Sequence, residues 1–217
     1  MKARDNPFRV ARVLSAIRYE VQASGSGDSD GTRLGGGQGA ASLLPRLEAL
    51  RYRAALVGPH GAGKTTLLED LEGVLRERGF RITHVRLDTD NPRLPREWRW
   101  QWRSQSRWPW RSSARRLDGR DIVCLDGAEQ LGTVAWRRFR WQTRRAGGLI
   151  IATHTPGRLP TLIECTTSVG LLERIIHRLA PDGLDAESPA AELFARHRGN
   201  IRDALRELYD VYAAARS

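Results

Sequence analysis

Short apolar runs alternate along this chain with stretches of helical periodicity. Five runs read as buried strands: Arg53-Ala-Ala-Leu-Val57, Arg81-Ile-Thr-His-Val-Arg-Leu87, Asp121-Ile-Val-Cys-Leu-Asp126, Leu149-Ile-Ile-Ala-Thr153 and Leu162–Cys165. Between them, Leu67, Leu68, Leu71 and Leu75 recur at helical spacing over Thr65 to Arg78, with Gly79 as a stop. A second helix is expected over 131–146, with Leu131, Ala135 and Phe139 inward, and a short one over Leu43–Leu50. Strands alternating with helices predict an α/β fold, a parallel sheet joined by right-handed crossovers. After residue 168 only helical patterns remain, over Leu171–Leu179, Ala190–Arg196 and Ile201–Ala215.

The expected organisation is therefore an amphipathic helix within 1–22, a flexible Gly/Ser linker over 23–42, an α/β core over 43–167 and a helical lid over 168–217. Val10, Val13, Leu14, Ile17 and Val21 line one face of the first helix. Residues 93–116 interrupt the core as a Trp/Arg-rich insertion. No internal repeat is visible.

The loop between the first strand and its helix carries the most specific chemistry. Gly58-Pro-His-Gly-Ala-Gly-Lys-Thr65 fits G-x-x-x-x-G-K-[ST]. In such a loop Gly58, Pro59, His60, Gly61, Ala62 and Gly63 curl backbone N–H groups around phosphate oxygens. Lys64 then reaches the outer phosphates, Thr65 holds Mg²⁺, and Thr66 continues into the helix. The helix N-terminus adds its own preference for anions. Of the 36 basic residues, all but Lys2 and Lys64 are arginine. Lysine thus stands where a compact point charge suits better than a planar fork.

Asp126 ends a strand of four apolar residues, where a carboxylate can reach the Mg²⁺ shell; the alternative is a turn cap. The next position is Gly127, where many ATPases carry the catalytic glutamate. Glu129 either orients the attacking water or is a helix-start carboxylate. His154, and second to it Thr153, follows the fourth strand and either senses the γ-phosphate or merely caps the strand. Arg202 opens the last helix and either reaches back to the phosphates or is a solvated charge.

Together these residues resemble the AAA+ superfamily of P-loop NTPases. Gly58–Thr65 is similar to Walker A, Ile122–Asp126 to Walker B, and Thr153/His154 to sensor 1. Gly199-Asn-Ile-Arg202 is similar to the sensor 2 signature, and Asn6-Pro-Phe8 to a lead-in of some bacterial members. The resemblance implies a five-stranded sheet of order 5-1-4-3-2, ATP with Mg²⁺, and homo-oligomers with an arginine finger in trans. The place of His154 is also similar to the switch histidine of ABC-type ATPases. No guanine-reading N-K-x-D motif is present, which favours ATP over GTP.

Charge and cysteine usage add partners and setting. The net charge is +11. Residues 93–116 hold eight arginines against Glu97, and 136–145 hold five with no acid. All seven tryptophans lie in these two segments: Trp98, Trp100, Trp102, Trp108, Trp110, Trp136 and Trp141. Glu97–Arg103 alternates with period two, and in an extended strand Trp98, Trp100 and Trp102 would share one face. Interleaved Trp and Arg suit single-stranded nucleic acid, a protein hot spot or an anionic membrane surface. They suit equally a covering of the sheet edge and the 131–146 helix. Cys124 and Cys165 lie in apolar runs and read as reduced, buried thiols, which fits a cytoplasmic setting. No apolar run approaches a membrane span, the N-terminus carries no secretory h-region, and the five histidines lack metal-site spacing.

Three functions remain open from the sequence. The first is a Mg-dependent ATPase, with Gly127 pointing to slow turnover. The second is a nucleotide-gated module that binds nucleic acid or protein with little turnover. The third is a small-molecule kinase that uses Asp88 and Asp90 to hold an acceptor hydroxyl.

Overall fold

The computed structural model describes residues 33–34, 40–95, 98, 117–180 and 190–214. The expected helix over 7–22, the Asn6-Pro-Phe8 segment and Trp100, Trp102, Trp108 and Trp110 lie outside these residues. The chain divides into two compact units, one of Met1–Leu43, Gly58–Leu67 and Ile163–Ser217, the other of Leu44–Val57 and Leu68–Leu162.

The strands are β1 (Arg33–Leu34), β2 (Arg53–Val57), β3 (Arg81–Arg86), β4 (Asp121–Asp126), β5 (Gly148–Thr153) and β6 (Thr161–Cys165). The helices are α1 (Leu44–Ala49), α2 (Lys64–Glu77), α3 (Thr133–Gln142), α4 (Val169–Leu179), α5 (Ala190–Arg196) and α6 (Ile201–Ala214). The strands form one sheet in the order β1-β6-β2-β5-β4-β3. The β1–β6, β2–β5, β5–β4 and β4–β3 pairs are parallel.

The sheet has six strands rather than the expected five, the additional one being the edge strand β1. Arg33–Leu34 lies in the stretch read as linker, yet it pairs with Glu164 and Cys165 as an edge strand. Two residues are too short to show a period, so only the partner strand defines them.

In the second unit the central strands are apolar between their ends, over Ile122–Leu125 and Leu149–Ala152, because both faces are covered. Every residue of β4 and β5 is buried. Edge strand β3 alternates instead, with Val85 inward. One face packs Val57, Val85, Leu125 and Ile151 against Trp98, Trp136 and Phe139. The end of α2 follows its sequence signal closely. Gly79 adopts φ +84°, its N–H bonds Arg76 O at 2.9 Å, and Phe80 N–H bonds Leu75 O at 3.1 Å. That is a Schellman stop, which requires the left-handed glycine.

The helix expected over 131–146 is shorter, α3 followed by a 3₁₀ turn over Thr143–Arg145. The Arg53 guanidinium donates to Thr143 O at 3.0 Å, Arg144 O at 3.3 Å and Ala146 O at 3.0 Å, satisfying carbonyls of the turn that follows the helix. Burial first, and Arg140 second, hold Arg53 below its ordinary pKa.

In the first unit α4, α5 and α6 share a core of Leu172, Ile175, Ile176, Leu193, Ile201 and Leu205. Ser168 caps α4 by accepting from Leu171 N–H at 3.2 Å. Cys124 and Cys165 are free and buried. Among the described residues no helix is long and apolar enough to cross a membrane.

Candidate functional site

In the first unit the glycine-rich loop spans Gly58–Gly63, between the end of β2 at Val57 and the start of α2 at Lys64. Gly61 (φ +74°) and Gly63 (φ +79°) are left-handed, which a side chain disfavours. Gly58 has a different reason to be glycine. A Cβ there would come within 3.0 Å of the Cys165 carbonyl oxygen. Lys64 is buried, and its ammonium donates to Gly58 O and Pro59 O, each at 2.7 Å. The positive charge is thereby held inside the curl of its own loop. Thr66 is buried, Thr65 and Ala62 are half-buried, and Pro59 and His60 are exposed. Burial pushes the Cys165 thiol up to about 11, with Lys64 opposing.

The turn before α6 packs on this loop. Arg198 (φ +51°) and Gly199 (φ +81°) are consecutive left-handed residues that bring Asn200 to the helix start. Asn200 Oδ1 accepts from Arg202 N–H at 3.1 Å and Asp203 N–H at 3.4 Å, and the Asn200 amide donates to Asp203 Oδ2 at 2.5 Å. Asn200 Oδ1 lies where a Cβ on Gly61 would stand, closer than 3.0 Å. Arg202 is exposed two residues further on. Sequence reasoning gave Asn200 no role of its own. Its cap signal was visible, but its contact with Gly61 was not.

In the second unit the strand register brings four carboxyl ends together. Val57 pairs with Thr153, Asp126 with Ala152, and Arg86 with Asp126. Asp126 is buried, and Arg86 Nε lies 3.7 Å from its Oδ2, a neighbour not anticipated. Gly127 is left-handed (φ +78°), and a Cβ there would come within 3.0 Å of Leu87 O. A glutamate at 127 is therefore excluded by the backbone itself.

Glu129 and His154 meet, with Glu129 Oε1 at 3.4 Å from His154 Nε2. Glu129 Oε2 is buried without a hydrogen-bond partner among the described residues. Thr153 is fully buried and its hydroxyl donates to Thr155 O at 3.3 Å. Burial holds Arg158 below its ordinary pKa, with Glu129 countering. Asp88 is engaged in a turn, accepting from Asn91 N–H at 2.6 Å.

Beside Asp126 runs a polar stripe that parity along the strands makes possible. Glu72 of α2 accepts from Arg76 at 2.8 Å and lies 2.5 Å from His84 Nδ1. Its hydrogen bonds to His84 and Arg76 hold it below the usual carboxylate value against the opposing effect of burial. His84 is raised, mainly by that hydrogen bond. Burial, then Glu72, pushes the Cys124 thiol well up, so it is unreactive. The described residues hold no cluster of three or more acidic, Cys or His ligands for a metal.

The described tryptophans behave differently from one another. Trp98 is helical rather than extended, with its N–H on Pro95 O at 3.0 Å, because its ring packs on Phe139 at 5.1 Å between centroids. Trp136 is buried under Arg158, whereas Trp141 is 42% exposed.

No protein family and no curated protein matches this chain. Among solved structures it is similar to the crystal structure of domain III from the Thermotoga maritima replication initiation protein DnaA. The identity is 13%, the TM-score 0.49, and the match covers 83% of this chain and 87% of that one.

Proposed function

We propose that the protein binds ATP with Mg²⁺ through Gly58–Thr65 and hydrolyses it slowly, as an AAA+-type ATPase of the cytoplasm. The observation that carries this reading is the loop itself. Two left-handed glycines and a lysine ammonium turned onto the loop's own carbonyls form a cradle for phosphate oxygens. Lys64 would leave Gly58 O and Pro59 O for the β- and γ-phosphates. By the sequence pattern, Thr65 and Asp126 would supply hard oxygens of the kind that Mg²⁺ takes alongside phosphate and water. Mg²⁺ would neutralise charge developing on the transferred phosphoryl group. Glu129, held by His154, is the carboxylate for orienting water, and Arg202 is the cation on the lid. Calorimetry with MgATP on the natural chain and on Lys64→Ala tests the assignment.

A second reading is a nucleotide-gated module that binds nucleic acid or protein through the Trp/Arg residues. Gly127 favours it, since no carboxylate can occupy the position directly after Asp126. A steady-state ATPase assay with and without single-stranded DNA separates the two. Turnover that depends on Glu129 supports the enzyme, and binding without turnover supports the module. The kinase reading ranks below both, because Asp88 is engaged in a turn. Homo-oligomerisation follows only from the resemblance, and no arginine is assigned as a finger.

A further inference from the structure

From the exposed face of α3, we infer a binding surface for single-stranded nucleic acid. Val134, Arg137, Arg138 and Trp141 follow i, i+3, i+4 and i+7, the spacing of one helical face. Val134 is 71% exposed and Trp141 42%. Arg137, Arg138, Arg140, Arg144 and Arg145 are all exposed along α3 and the turn after it. From residue 130 to residue 163 the chain contains no Asp or Glu, so no acid within this stretch offsets them.

The opposite side of the same helix decides between partners. Trp136 and Phe139 are buried in the core of the second unit, and Thr143 is fully buried just beyond. The apolar side of α3 is thus already used. A helix that lies in a membrane surface needs that side free to enter the lipid. What remains outward is a row of guanidiniums with one accessible indole. Guanidinium forks match phosphate oxygens, and an indole stacks on bases without regard to sequence. Arg144 lies 3.9 Å over the Trp141 ring and supports it from one side. Next to the face, Arg138 also lines a cavity of about 490 Å³ with Arg93, Leu94, Trp98 and Gln142. A base turned out of the strand has a recess there with a basic rim. The inference rests on the second reading above and narrows it to single-stranded nucleic acid; it uses no residue of Gly58–Thr65, and its failure is therefore distinguishable from failure of the ATP assignment.

The test is fluorescence anisotropy of the full chain with a labelled oligothymidylate of about 20 nucleotides, over a range of salt concentrations. The natural chain is expected to bind, with affinity falling steeply as salt rises. Arg137→Glu/Arg138→Glu should weaken binding at least tenfold and flatten the log–log salt slope by about 1.4, two contacts at ~0.7 each on a single strand. Trp141→Ala should weaken it about fivefold or more. Arg206→Glu, a charge reversal at an exposed position of α6, should leave binding unchanged. Should the double reversal fail to fold by circular dichroism, Arg137→Gln/Arg138→Gln replaces it with the same expected direction. Natural affinity and slope in the α3 variants overturn the inference. So does binding to phosphatidylserine–phosphatidylcholine vesicles without binding to the oligonucleotide, or binding to neither.

Discussion

Asn200 Oδ1 occupies the space that a side chain on Gly61 would need, so the cap of the last helix rests directly on the phosphate loop. The loop is glycine at 61 for two reasons at once, its φ of +74° and this neighbour. Gly61→Ala is expected to destabilise by about 1–2 kcal/mol from the left-handed backbone alone, and more from the collision. Asn200→Ala should cost about 1 kcal/mol through the lost cap. The double variant should lose less than the sum, since removing the carboxamide relieves the collision. Denaturant unfolding of the four proteins measures that coupling.

The Glu72–His84 pair gives a pH signature. His84 is raised above its ordinary 6.5, so its contribution is complete below pH 6.5 and is lost as pH rises through the elevated value. Glu72 is lowered below 4.5, so its contribution is complete above pH 4.5 and is lost as pH falls through the depressed value. Arg76 also acts on Glu72, and Asp126 and Arg86 on His84; the hydrogen bond between the pair is the largest influence on His84, while for Glu72 burial is the largest and opposes the shift. His84→Gln should therefore destabilise most between pH 4.5 and 6.5, by about 1 kcal/mol given the solvent screening at exposed His84, and much less at about pH 9. Urea unfolding at both pH values checks this. An equal loss at the two values contradicts it.

Glu129→Gln separates binding from chemistry. If Glu129 orients water, turnover should fall by roughly a hundredfold while MgATP affinity stays within a factor of about two. His154→Ala should lower turnover in the same direction by freeing the Glu129 carboxylate. Steady-state phosphate release and calorimetry on the same preparations read the two effects. Gly127→Glu should not raise turnover, because the left-handed backbone and Leu87 O leave no room for the side chain. It should instead lower the thermal midpoint.

Much of the fold is legible where a local rule acts alone. β4 and β5 read as continuous apolar runs because both faces are covered, and Gly79 ends α2 through its own backbone. β1 was not legible, since its two residues owe their conformation to Glu164 and Cys165. The helical turn at Trp98 is not legible in the period-two pattern, since its packing partner Phe139 lies far away in sequence. The same division holds in the site. Gly58–Thr65 and Asp126 follow from spacing and strand context. The Gly61–Asn200 contact, the Arg86 neighbour of Asp126 and the Glu129–His154 pair depend on tertiary placement that no periodicity records.

The most direct measurement is calorimetric titration of the full chain with ATP in the presence of Mg²⁺, repeated on Lys64→Ala. Nucleotide binding at the glycine loop predicts saturable one-site binding to the natural chain. In Lys64→Ala the affinity should fall at least a hundredfold, with the fold intact by circular dichroism. Equal affinity in the two proteins, or no binding to the natural chain, contradicts it.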